Sequence, residues 1–426
     1  MIPAEKLYPQ REALYQETHA RPFPRVASSS RVSHLVLLFG ATTVEQELRH
    51  LGLLCGHFGQ APPQPEARSY YQDLGNFTLR WQRHGEFSTY SFFAAGAESA
   101  PFAEPALAQV PAVWVAGLPG QVLGSANFVL SPLGTGFSEA AKFDALGTAI
   151  QVGSQVKGHQ TQVWSSLQLD ASGFVRYLLL DQGMNEAQLG RVLQRMMELE
   201  TYRILALLAL PLARRMSGRL NVMDFTLILV ADQIKQISEL EAKQNLLAKL
   251  SELSLEVAEL RSHSFRFGAA EAYFELVEEI LQDLNEEKLP SQLTFGEFLH
   301  RRLMPARRTC QATMRRIQDL GQRIDHASDL LSTAVNLSLE EQNQELLHAM
   351  DRRQHLQHRL QEAVEGLSIA AISYYTIGLL KILLKGGEKL GLPLNSDLAS
   401  AVAVPLVLLL VWWAVHRIKE KIIRKS

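Results

Sequence analysis

LSIAAISYYTIGLLKI, residues 367–382, and LASAVAVPLVLLLVWWAV, residues 398–415, decide how this chain is read. The first is apolar apart from its hydroxyls and Lys381, and the second carries no charge. A helix crossing a bilayer core needs about 20 apolar residues, with about 17 near the lower limit. The second segment therefore reads as a span closed at one interface by Trp412 and Trp413. The first reads as either a span or a buried core helix. With the Gly/Lys/Pro/Asn loop between them they are expected to form a two-helix transmembrane hairpin over 367–415. Arg417, Lys419, Lys421, Arg424 and Lys425 follow the hairpin, and Arg352, Arg353 and Arg359 precede it. The loop offers only Lys385 and Lys389, offset by Glu388 and Asp397. Loops rich in Lys and Arg stay on the cytoplasmic side. Both outer flanks, including the basic tail 416–426, are thus expected in the cytoplasm.

Outward from the hairpin, residues 306–365 contain one glycine, Gly321, and no proline. Leu346, Leu347, Met350, Leu356, Leu360, Val364 and Leu367 mark an apolar face near the end of this stretch. At about 1.5 Å per residue it would be a rod of roughly 90 Å entering the first span. Upstream, Val230, Ile234, Ile237, Leu240, Leu247, Leu250, Leu253, Val257 and Leu260 recur at threes and fours with a gap at Gln244, a coiled-coil or helical-hairpin seam. Gly268–Asn285 adds a helix, and Pro290 and Pro305 bracket a connection. Residues 206–366 are read as a helical, coiled-coil stalk.

Residues 31–205 read as an α/β head, so the fold class is α+β with a stalk and a hairpin. Strands are expected at Val32–Phe39, Asn76–Arg83, Glu86–Phe93, Gln121–Leu130, Ala149–Val156, Val163–Leu169 and Phe174–Leu180. His84-Gly85 and Asp170–Gly173 supply turns, and a helix starts at Thr43. The Ala/Gly/Pro-rich stretch 96–148 yields no assignment. Asn185 is a good N-cap before Leu189, Val192, Leu193, Met196, Met197 and Leu199 at helical spacing. The apolar run Thr201–Leu210 is too short to cross a bilayer and reads as core or interface helix. Residues 1–30 are a polar N-terminal arm without the apolar core of a secretory signal, which is consistent with a cytosolic head.

The 426 residues are too many for one core and suggest two or three units at roughly 150 each. Forty-two Lys and Arg against 44 Asp and Glu leave a net charge of −2, which argues against a dedicated nucleic-acid binder. Two cysteines, Cys55 and Cys310, exclude a disulfide framework. No phosphate loop, kinase set, nucleophile elbow or HExxH occurs, so no catalytic residue or cofactor is assigned, and the chain is not expected to be an enzyme.

His84 and Glu86, two apart, can form part of a divalent-metal pair or serve the turn at Gly85. His19 with Arg21, Pro22 and Phe23 suits a partner contact or a packed arm. Arg191, Arg195, Glu198, Glu200 and Arg203 are spaced for ion pairs such as Arg195 with Glu198, either a regulatory ligand site or a buried network holding helix to sheet. Arg301, Arg302, Arg307 and Arg308 offer an anion site or solvated charge, and Cys310 reads as a packing residue. In the first span Ser373, Tyr374, Tyr375 and Lys381 can line a membrane pathway or bond helix to helix.

GRVLQRMMELETYR (190–203), followed by ALLALP (206–211), resembles the signature of an uncharacterised bacterial family of membrane-anchored proteins carrying a domain of unknown function. RRLMPARRTC (301–310), the stretch from EQN (341–343) to VEGLSIAAISYY (364–375), HARP (19–22) and HGEF (84–87) fit the same family. The resemblance covers essentially the whole chain. It implies a bacterial inner (cytoplasmic) membrane location but no activity. The order of α/β head, stalk, two closing spans and basic tail is also similar to CorA-type magnesium and zinc channels. In those, the first span lines a pentameric pore and a Gly-Met-Asn motif guides the hydrated cation. Here Leu383-Leu384-Lys385-Gly386-Gly387 stands in that place, no Gly-Met-Asn occurs, and Lys381 and Lys385 would repel Mg²⁺.

The expectation is a homo-oligomer in the lipid bilayer with CorA-like architecture and an ion-transport or channel-derived role. The alternative is a membrane-tethered scaffold or sensor that binds a protein or small ligand.

Overall fold

The nine residues Ser30–Leu38 form β1, and all but the last are buried, so both faces of this strand are covered. The computed structural model describes residues 6–9, 11, 15, 23–96, 101–134, 139–147, 152–156, 158, 160–389 and 396–423. Helix α1 (Val44–His57) follows, started by a capping box in which Thr43 and Gln46 satisfy each other's backbone N–H. Its buried positions Glu47, Leu51, Leu54 and Cys55 lie on one stripe. A meander of β2 (Ser69–Asp73), β3 (Thr78–Arg83) and β4 (Phe87–Ala95) returns to pair β4 antiparallel with β1.

A 3₁₀ turn (Ala106–Gln109) and the short α2 (Ala112–Ala116) lead into β5 (Gln121–Pro132), antiparallel to the other side of β1. Helix α3 (Glu139–Leu146) precedes a second meander, β6 (Val152–Val156), β7 (Thr161–Leu169) and β8 (Val175–Asp181). Here β8 pairs parallel with β5, so each half of the sheet is one strand, one helix and three strands folding back on the first. The helices are α4 (Glu186–Leu207), α5 (Ala209–Gln236), α6 (Leu240–Arg261) and α7 (Ser264–Leu284). A two-residue strand β9 (Glu287–Lys288) closes the nine-stranded order β2-β3-β4-β1-β5-β8-β7-β6-β9. Last come α8 (Phe295–Lys389) and α9 (Ser396–Ile423).

The sheet separates two cores. On one face Leu35, Leu37, Trp81, Tyr90 and Phe92 pack with Leu51, Leu54 and Trp114 of α1 and α2. On the other, Val36 and Phe87 meet Leu205 of α4, with Tyr202 and Tyr273 against them. The mixed α+β head is thus as expected. Strand β2, β9 and the helices within 96–148 are additions to the sequence expectation. Strand β2 is only five residues long and partly exposed, so it buries too little to leave an alternation.

The chain divides into two compact units, Met1–Gln233 with Lys249–Ala327, and Ile234–Ala248 with Ser328–Ser426. In the first, Asp224 of α5 accepts from Arg316 and Arg323 of α8, and Arg219 pairs with Glu259 of α6. Pro290 and Pro305 do not bracket a connection, because α8 starts at Phe295 and runs through Pro305. A helix-interior proline costs about 3 kcal/mol, and burial of Phe298, Leu299, Leu303, Ala306 and Cys310 around it offsets that cost.

In the second unit Lys243 Nζ donates to Ser338 Oγ at 2.7 Å. One described helix, Phe295–Gly386, is long and apolar enough to cross a membrane, by length and composition. The expected second span fares differently: its apolar stretch, Ala401–Arg417, is shorter than the usual span among the described residues, so the helix lengths do not give a hairpin of two full spans. The loop residues 390–395 and the tail residues 424–426 lie outside the described residues.

Candidate functional site

Strands β3 and β4 alternate polar with apolar, TLRWQR and FSTYSFFAA. Such alternation ordinarily places the polar face in water. Here α4 covers that face. Arg80, Gln82, Thr89, Ser91 and His34 of β1 are all less than a tenth exposed. They line a cavity of about 120 Å³ with Gln194, Arg195, Glu198, Thr201 and Tyr202 of α4, and with His84, Phe87 and Phe23. Given roughly 30 Å³ per water, this is room for about four waters or one small oxyanion.

His34 sits at the base. Its Nδ1 lies 2.8 Å from Ser91 Oγ and its Nε2 lies 2.9 Å from Thr201 Oγ1. Thr201 already donates its hydroxyl to Met197 O at 2.8 Å, so toward His34 it can only accept. This fixes the tautomer: Nε2 carries the proton and Nδ1 accepts from Ser91. Burial, followed by the charges of Arg80 and His84, lowers the imidazole pKa to about 3, so the ring is neutral. The cavity wall continues as a chain of polar contacts. Arg80 donates to Gln194 Oε1, Gln194 donates to Glu198 at 2.8 Å, and Arg195 donates to Glu198 and to Asp283 of α7 at 2.8 Å each.

The N-terminal arm forms one edge of the site. Phe23 lines the cavity, and Val26 N donates to Glu186 O at 3.2 Å. At Gly190 a Cβ would stand 1.7 Å from Pro24 O, so the arm's backbone crosses α4 where only glycine fits. Gly190→Ala is therefore expected to displace the arm at an overpacking cost of about 1–3 kcal/mol. Limited proteolysis should cut the variant near residue 24 well before the parent chain. Equal protection of the two would show that the arm is held elsewhere. His19, Arg21 and Pro22 lie outside the described residues.

The structure divides the expected ion-pair block in two. Arg195 and Glu198 pair as the spacing predicts and face the cavity. Glu200 and Arg203 instead form a buried two-point pair at 2.6 and 2.7 Å, and Tyr177 of β8 donates to the same carboxylate at 2.5 Å. Tyr177 in turn stacks between Phe128 and Phe295. This half holds helix to sheet. Arg191 is exposed.

His84 and Glu86 go separate ways. His84 stacks on Phe87 and lines the cavity, whereas Glu86 accepts from Arg266 at 2.6 and 2.7 Å and from Tyr273 at 2.7 Å. Burial alone would raise the Glu86 pKa, but Arg266 and Tyr273 outweigh it and hold the carboxyl below its ordinary value. Among the described residues no group of three or more His, Cys, Asp or Glu is placed to hold a metal ion.

Arg307 pairs with Glu271 and Glu278 of α7, and Arg302 stacks over Phe298. Cys310 is buried, and burial raises its thiol pKa to about 11. Ser373 is buried, while Tyr374 and Tyr375 are exposed and meet edge to face. Lys381 lies on α8 and is exposed.

Sequence reasoning missed Arg80, Gln82, Ser91, His34 and Thr201. The available signal was the density of polar side chains on one phase of adjacent strands, followed by an amphipathic helix that carries its own dense polar block. A protein-family model described as a protein of unknown function, DUF3422, matches residues 6–422. No curated protein matches the chain.

Proposed function

The chain belongs to the DUF3422 family, and from that premise we propose a membrane-tethered receptor whose α+β head takes up a small oxyanion in the cavity beneath α4. The apolar C-terminal helices serve as the anchor in the bacterial inner membrane. The observation that carries this reading is the buried polar wall on the strand side of the cavity. A guanidinium, Arg80, is only 6% exposed on the cavity side of the sheet, in a lining of amides, hydroxyls, His84 and the Arg195–Glu198 ion pair. A planar guanidinium in a site shielded from water suits a carboxylate or phosphate. The imidazole beneath it is neutral, with both nitrogens engaged by Ser91 and Thr201, so it adds no charge to the site. An anion at Arg80 would compete with Gln194 and so reach Glu198, Arg195 and Asp283 through the contacts that link them. The cations that flank the apolar segments 367–382 and 398–415 favour cytoplasmic ends, which would put this head in the cytoplasm.

Calorimetric titration of the full chain in detergent with inorganic phosphate and with malonate tests the cavity. One of the two is expected to bind at one site per chain. Arg80→Gln should weaken that binding about 10- to 100-fold, since a hydrogen bond to a charged group contributes about 1.5–3 kcal/mol. Arg219→Gln, outside the cavity, should leave it unchanged. Silence from both anions with a folded head sinks the reading.

A second reading, ion passage with CorA-like architecture, has one observation in its favour. Ser373 is 2% exposed within the apolar segment, and its hydroxyl lacks a hydrogen-bond partner. A polar group placed there suits a pathway. The cations Lys381 and Lys385 beyond it weigh against a divalent cation as cargo.

A further inference from the structure

Between residues 339 and 364 every position of α8 is exposed, so this stretch is a helix with water on all sides. It nevertheless carries a continuous apolar face. Leu339, Leu346, Leu360 and Leu367 recur in steps of seven or fourteen, and Met350 and Val364 fall between them at the complementary heptad position. Leu347, Ala349, Leu356 and Ala363 widen the face on both sides. Apart from Arg353 on it and Glu340 beside it, the charges keep away from this face: Glu341, Glu345, Asp351, Arg352, Arg359, Glu362 and Glu365 all occupy the outer heptad positions, as do His348, His355 and His358. Each of the six seam side chains is between 40% and 72% exposed. An apolar stripe of this length needs a partner helix.

We infer that the partner is a second copy of this chain, aligned parallel and in register along residues 339–367. The polar residues within the stripe make this choice. Asn343 and Gln357 occupy the same seam position as Met350 and Val364, one heptad before Met350 and one after it. A side-chain amide carries both donors and acceptors, so each can pair with its own counterpart across an axis of symmetry. An unrelated partner would need a matching amide at both layers. A one-heptad register shift would set the amides against Met350 and Val364. Buried amides at such positions are the known way of fixing register and copy number. The helix also continues without a break into the apolar segment 367–382. Copies anchored as proposed above therefore stand parallel at equal depth, and this part of the inference rests on that anchoring. Arg353 is the one charge on the seam, and it sets like charges together at its layer.

Disulfide trapping in membranes and in detergent tests the inference, using the full chain treated with a mild oxidant. Background is low because Cys55 and Cys310 are both buried. Leu346→Cys and Leu360→Cys should each give covalent dimers, since in-register seam positions approach within disulfide reach. Glu345→Cys and Arg359→Cys, on the outer face, should give about tenfold less. Arg353→Leu should raise the yield at Leu360→Cys by removing the like-charge layer. Dimers in detergent but not in a membrane fraction would keep the pairing and remove the anchoring. Equal yields at inner and outer positions, or none at Leu346→Cys and Leu360→Cys, would overturn the pairing itself, and a different protein covering the stripe would give that second result.

Discussion

Glu200→Ala is expected to destabilise the head by about 3–5 kcal/mol, the cost of leaving a buried cation without its partner. Arg203 is 8% exposed and donates two bonds to this carboxylate, which also takes the Tyr177 hydroxyl. Alanine supplies no acceptor, and the guanidinium on the same face of the helix cannot reach water without unpacking α4 from β8. Burial lowers the Arg203 pKa, but the charge and hydrogen bonds of Glu200 and Tyr177 outweigh this and raise it, so the side chain stays charged. A urea titration followed by tryptophan fluorescence reads the loss as a lower midpoint at unchanged slope. Glu200→Leu with Arg203→Met should recover most of it, because a buried ion pair contributes little beyond an apolar pair of similar volume. A single variant within about 1 kcal/mol of the parent would mean that water reaches the pair.

The contrast between Glu200 and Glu198 shows how far the sequence carries. Both lie in one dense charged block, and (i, i+3) spacing predicts an arginine partner for each. Spacing gives the contacts within the helix, Arg195 with Glu198 and Arg203 with Glu200. It is silent on which residue faces β8 and which faces the cavity, because that depends on the rotation of α4 against the sheet. The strands were legible wherever burial is strong, as at β1, β5 and β8. They were not legible at β2, where partial exposure leaves no alternation. Proline misled at 305 because packing of the surrounding α8 residues outweighs a local penalty. The cavity was hidden for a related reason. The phase of Arg80 and Gln82 is visible in TLRWQR, but polar residues on one face of a strand look the same whether water or a helix covers them. Gly190 was in plain view within the block, and its meaning appears only once Pro24 is seen to cross it.

Acidification should weaken the fold through His34 before most carboxylates are protonated. The folded-state pKa of about 3 lies below the ordinary 6.5 of an exposed imidazole. Above about pH 6.5 neither state binds the proton, and the full stability is present. Between about pH 6.5 and pH 3 the unfolded chain takes up a proton that the native chain refuses. Stability is then lost at up to about 1.4 kcal/mol per pH unit, roughly 3–5 kcal/mol over the window. The groups facing the ring account for the refusal. Ser91 and Thr201 satisfy both nitrogens of the neutral form, and Arg80 and His84 add positive charge beside it. A second proton at Nδ1 would force the Ser91 hydroxyl to turn and accept, and it would place a cation near the Arg80 guanidinium, with hydroxyls and no carboxylate hydrogen-bonded to the ring among the described residues. His34→Gln cannot titrate, so urea midpoints at pH 7, 5.5 and 4.5 should converge on the parent's as pH falls, even if the variant starts lower. Parallel lines for the two proteins would place the imidazole in contact with water and remove the buried polar wall. If the lines converge, the positive charge available to an anion in this cavity comes from Arg80 rather than from His34, and binding should not depend on titration of His34 near neutral pH.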